Sequence, residues 1–201
     1  MAFALTACTR DGEGAIFLLR GRKPEPMRFI FSGDGMQAMG IDPARLTIVE
    51  AREERDILRA TLDAARCPGV GTVLLDMPGR FAAYDLTASR RLLLAAERSG
   101  TRVILLRGPA EPRSSAAWTR WSVESAPSVP WMADAPGWPA IMVELLRSRG
   151  GGAGGKWRLE WLEDQGVFGH AAHGSPLPGL VVPLAALRTG GADHGAGARA
   201  A

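Results

Sequence analysis

The chain has 201 residues, 46% of them apolar and 22% charged, which is the composition of a folded domain and excludes a disordered tail protein. Its net charge of +3 permits an acidic or nucleic-acid partner without demanding one. Two cysteines, Cys8 and Cys67, exclude a disulfide scaffold and a cysteine-rich zinc site. No apolar run is long enough to span a bilayer, and no leader pattern opens the chain, so the expected location is cytoplasmic.

Residues 2–9 read as the tail of a helix, and Asp11 to Gly14 as a turn. Ala15-Ile16-Phe17-Leu18-Leu19 is apolar without alternation, which suits a strand covered on both faces. Residues 27–31 fit a short strand or an ordered loop. A short helix over 32–39 follows, capped by Ser32 and stopped by Gly40. Leu46 to Val49 is a strand, and residues 53–66 form a helix with Ile57, Leu58, Leu62 and Ala65 on one face. Val70 to Leu75 is a strand ending in Asp76. Asp85 caps a helix reaching Ser99, with Leu86, Arg90, Leu93 and Glu97 at helical spacing. Arg102 to Leu106 is a further strand. Strand–helix–strand–helix–strand with short links predicts right-handed parallel crossovers.

The pattern then changes. Residues 108–118 are loop, Arg120 to Glu124 alternate at period two, and Pro127 to Pro139 is proline-rich. Ala140 to Arg147 and Lys156 to Trp161 flank a glycine-rich link, which predicts an antiparallel hairpin. In the second strand Trp157, Leu159 and Trp161 point one way and the charges the other. The fold class is therefore α/β, a mostly parallel sheet extended by C-terminal antiparallel strands. Residues 1–165 are expected to form the core, and 166–201 a flexible Gly/Ala/Pro-rich tail.

Candidate chemistry is sparse. Asp76 ends an apolar strand, where an aspartate can hold the magnesium of a bound nucleotide. No GxxxxGK[ST] or GxGxxG motif accompanies it, so no phosphate cradle is encoded and no cofactor is expected. His170, His173 and His194 lack a fixed third ligand for a metal. Ser114-Ser115 has no histidine base in an ordered region, and Cys67 reads as a buried small hydrophobe. The more informative set is basic and aromatic: Arg107, Arg113, Trp118, Arg120, Trp121, Arg147, Arg149, Lys156 and Arg158. Arginine beside aromatic rings suits single-stranded nucleic acid or a protein hot spot; the plain alternative is core tryptophans and a solvated strand face.

Several stretches carry a family resemblance. They are Gly40 to Leu46, Asp85 to Leu92, Thr119-Arg120-Trp121, Val143 to Gly151 and Trp157 to Trp161. Together, over residues 3–165, they resemble the ImuA family, RecA-like accessory proteins of bacterial damage-induced mutagenesis. The resemblance implies a RecA-like core in which Val70–Asp76 matches the strand bearing the magnesium aspartate. It places Arg107 to Trp121 at the second DNA-binding loop, and 140–147 with 156–162 at the last core strands. The phosphate loop and the first parallel strand have no counterpart here, which leaves a gap or an apolar edge that a partner could cover. The implied role is a non-catalytic adaptor in the DNA-damage response, supporting error-prone translesion synthesis. Its implied partners are an inactive Y-family polymerase homologue and an error-prone replicative-type polymerase, with RecA and DNA backbone as further candidates. The competing readings are a RecA-like ATP-dependent remodeller and a single-stranded DNA-binding module.

Overall fold

A computed structural model describes residues 1–6, 14–22, 31–77, 79, 81–108, 114–151 and 154–170. In chain order its elements are α1 (Ala2–Thr6), β1 (Ala15–Gly21), α2 (Gly33–Ala38), β2 (Leu46–Ala51), α3 (Glu54–Arg66), β3 (Val70–Met77) and α4 (Leu86–Ser99). There follow β4 (Arg102–Arg107), β5 (Thr119–Ala126), β6 (Ala140–Ser148), β7 (Lys156–Leu162) and β8 (Val167–Gly169).

The first four strands form a parallel sheet in the order β2-β1-β3-β4. Its two central strands are apolar at successive positions because each face has its own cover. Leu19, Val73, Leu75 and Met77 pack with Ile57 and Ala65 of α3 and Leu92 and Ala95 of α4. Ile16, Leu18 and Leu74 turn the other way, against Ala4 and Leu5 of α1, Met36 of α2 and Ile41. β1 enters the sheet close to β3: a Cβ built on Gly14 would stand 2.6 Å from the Gly71 nitrogen, so only glycine fits. Arg45 holds that entry, donating from Nε and Nη2 to the Gly14 carbonyl at 3.0 and 2.7 Å.

The helix ends are set by local chemistry. Ser32 Oγ accepts from Gly35 N, and Asp85 Oδ1 accepts from Ala88 N at 2.7 Å. Gly100 closes α4 in the left-handed region, at φ 75°. The buried side of α4 is Ser89, Leu92 and Ala95; the row Leu86, Arg90, Leu93, Glu97 lies beside it, toward solvent. Cys67 is exposed, contrary to the burial expected of it, because it lies just past the last turn of α3 where the chain leaves the core.

The last four strands form an antiparallel sheet, β5-β6-β7-β8. The parallel core is thus followed by antiparallel strands, and these constitute a sheet of their own: among the described residues no ladder joins β4 to β5. β8 lies past the expected boundary at residue 165; Phe168 packs on Trp161 (ring centroids 5.2 Å) and on Phe3 of α1 (6.4 Å), tying the second sheet to the first. Residues 27–30, 171–201 with His173 and His194, and most of the Asp11–Gly14 turn lie outside the described residues. No helix among the described residues is long and apolar enough to cross a membrane.

Candidate macromolecular interface

The junction between the two sheets is built around a short extended segment, residues 114–118. Ala116 is fully buried, and its N–H donates to Ser89 Oγ at 2.9 Å; that hydroxyl in turn donates to the Leu86 carbonyl. From the other side Arg147 of β6 donates through Nη2 to the carbonyls of Ser115 (3.0 Å) and Ala117 (2.5 Å). The segment is strapped between α4 and β6, and it delivers Trp118 and β5 to the surface. A backbone link closes the arrangement, with Arg149 N donating to the Trp118 carbonyl at 2.9 Å.

The strand register then sets the side chains. Arg120 stands directly opposite Arg147, whereas Trp121 stands opposite Leu145, so β6 carries one extra residue, Leu146, at a bulge. A bulge re-aims neighbouring side chains. Like charges at opposed positions are unfavourable unless other groups satisfy them. Here Arg147 is spent on the strap, and Arg120 Nη2 bonds Ser115 Oγ at 3.2 Å. Trp118 is 54% exposed and Trp121 43% exposed, with the Trp121 ring 5.9 Å from Trp157. Arg107 ends β4 and is exposed.

Tyr84 lies beneath it and was not singled out by the sequence. It is 4% exposed, and its hydroxyl has no hydrogen-bond partner among the described residues. Burial pushes the Tyr84 phenol above its ordinary value; Ser89 and the charges of Arg107 and Arg120 act against that shift. Both arginines are thus close enough to Tyr84 for their charge to be felt there.

Of the nine residues expected to make macromolecular contact, Arg107, Trp118, Arg120, Trp121, Arg147 and Arg149 gather at this junction. Lys156 and Arg158 lie one strand further out. Lys156 Nζ is 3.7 Å from Glu144 Oε2, and Arg158 donates to the Pro127 carbonyl at 2.6 Å, pinning the proline-rich connection. Arg113 lies outside the described residues.

Asp76 sits in one row of the parallel sheet with Glu50, Arg20 and Leu106. Arg20 is buried and bonds Glu50 Oε1 at 2.8 Å. Asp76 is itself engaged in an interaction within the fold. Within this row the ion pair of Arg20 and Glu50 lies beside Asp76. Among the described residues no group of three or more His, Cys, Asp or Glu side chains is placed to hold a metal.

No family model matches the chain. Among solved structures it is similar to SulA from Pseudomonas aeruginosa, with 14% identity, a TM-score of 0.38, and coverage of 53% of this chain and 83% of that one. A likeness at that score carries no further argument. Two proteins described as Protein ImuA, from two strains of Caulobacter vibrioides, are each 38% identical to it over 150 residues, 69% of this chain. The chain spans 58% of the length of these relatives. With that identity carried over 150 residues, the chain belongs to the ImuA family.

Proposed function

We propose that this chain is a non-catalytic adaptor of the bacterial DNA-damage response, which docks polymerase-related subunits of error-prone translesion synthesis through the surface at the sheet junction. Family membership supports the cellular setting. The observation that carries the docking role is Arg120 beside the half-exposed Trp118 and Trp121, with the opposed Arg147 anchoring the segment that presents them. The strap anchors Arg147 and the segment that leads into Trp118 and β5, and an arginine–tryptophan group is the typical composition of a binding hot spot. The partners implied are an inactive Y-family polymerase homologue and an error-prone replicative-type polymerase, with RecA as a third. Bringing two of them together raises the local concentration of polymerase at a lesion.

The test is binding of the purified chain to the purified Y-family homologue by calorimetry. Trp121→Ala and Arg120→Glu should each weaken it by about tenfold or more, since hot-spot truncations cost ~2 kcal/mol. Wild-type affinity in both variants refutes the assignment. The exposed tryptophans also favour a second reading, single-stranded DNA binding, in which rings stack bases. Oligothymidine affinity that falls steeply with salt, and falls again in the same variants, supports that reading over protein docking. ATP-dependent remodelling is the least supported, because no GxxxxGK[ST] phosphate cradle accompanies Asp76.

A further inference from the structure

The C-terminal ends of α3 and α4 lie side by side at the other end of the parallel sheet from the arginine–tryptophan group. Ser99 Oγ fixes their spacing by donating to the Ala65 carbonyl at 2.6 Å. Between them opens a shallow cleft of about 340 Å³ lined by Arg66, Pro68, Arg91, Leu94, Ala95 and Arg98. Its chemistry is two-part. Leu94 is 52% exposed, a large apolar side chain left to solvent on a helix whose buried side is elsewhere. Around it stand three guanidinium groups; the exposed carboxylates near them are Asp63, 3.7 Å from Arg66, and Glu97, one turn beyond Leu94 on α4. Among the described residues Arg91 and Arg98 make no ion pair.

The ordinary explanation for cations at a helix C-terminus is the helix dipole. It accounts for Arg66 and Arg98, each in the last turn of its helix. It does not reach Arg91, two turns earlier, because the effect fades within the last turn. A concave site with an apolar floor and a cationic rim complements a ligand with the opposite rim. We infer that this cleft docks an acidic polypeptide segment carrying one aliphatic side chain, which seats on Leu94 while its carboxylates meet Arg66, Arg91 and Arg98. Guanidinium forks match carboxylates in planar, bidentate geometry. Nucleic acid fits less well. The lining offers no aromatic face on which a base could stack. The cleft is separate from the sheet junction and stands without the adaptor reading.

The experiment uses the whole chain and two fluorescent probes, a short polyglutamate peptide with one central leucine and the same peptide with serine in its place. Anisotropy should show the leucine probe binding more tightly than the serine probe. The double variant R91E/R98E should weaken both by about tenfold or more, because like charge replaces complementary charge. Leu94→Ser should abolish the difference between probes and leave the serine probe unchanged. All three positions are exposed, and an unchanged melting temperature checks that each variant folds; R91Q/R98Q serves if the reversal does not. Equal affinity for the two probes, or wild-type affinity in the charge variants, overturns the inference. So does oligothymidine binding that is lost in these variants while peptide binding persists.

Discussion

The strap at residues 114–118 makes a quantitative prediction. Ser89→Ala removes the acceptor of the fully buried Ala116 N–H, which has no second acceptor among the described residues. An orphaned buried donor costs about 1–3 kcal/mol. The second Ser89 bond, to the Leu86 carbonyl, adds little, because that carbonyl can keep its helical partner. The expected loss is therefore ~2 kcal/mol, which for a chain of this size lowers the melting temperature by roughly 4–8 °C. Arg147→Met removes two bonds from the other side of the segment, but to half-exposed carbonyls that water can reach, so ~1–2 kcal/mol is expected. Both side chains hold one segment, so their effects should couple. In the double variant the segment is already released, and the combined loss should fall short of the sum by about 0.5–1 kcal/mol. Urea unfolding of the four proteins measures the cycle. Strict additivity, or a Ser89→Ala loss below ~0.5 kcal/mol, refutes the strap.

Three further outcomes follow from the geometry. Tyr84→Phe removes a buried hydroxyl that has no hydrogen-bond partner among the described residues, so stability at neutral pH should be unchanged or slightly higher, read by urea unfolding. Because burial raises the folded phenol pKa above the unfolded value near 10, the Tyr84 contribution is fully present below that value and is lost as pH rises through the folded pKa. Tyr84→Phe should therefore flatten the alkaline end of the stability–pH curve, and an unaltered curve contradicts the assignment. Gly14→Ala places a methyl group 2.6 Å from the Gly71 backbone and should cost ~1–3 kcal/mol by forcing β1 and β3 apart, visible as faster amide exchange along β1. Asp85→Ala removes the side-chain acceptor of Ala88 N and should cost ~1 kcal/mol in thermal unfolding, with Asp85→Asn restoring most of it.

Much of the parallel half was legible in the amino-acid sequence because its signals are local. Ala15 to Leu19 and Val73 to Leu75 are apolar at consecutive positions, and only a strand covered on both faces accommodates that. Ser32, Asp85 and Gly100 act within one turn of where they stand. The hairpin of β6 and β7 likewise follows from an apolar run and an alternating run on either side of a glycine-rich link. The clustering of Arg107, Trp118, Arg120 and Trp121 was also visible, since they are near neighbours in the chain.

Other features depend on pairings between distant segments, and no local pattern encodes them. The separation of the antiparallel strands into their own sheet, and the bulge that sets Arg120 opposite Arg147, are matters of register. The strap joins a serine of one helix, an alanine amide and an arginine of a later strand through backbone groups that every residue possesses, so residue type leaves no trace of it. Asp76 reads as a metal-ready carboxylate along the chain, yet its row-mates Arg20 and Glu50 come from two other strands. The cleft around Leu94 exists only because two crossover helices end side by side. Composition and periodicity decided what each segment is; tertiary packing decided which charges meet, because Coulomb and hydrogen-bond energies depend on distance in space and not on separation along the chain.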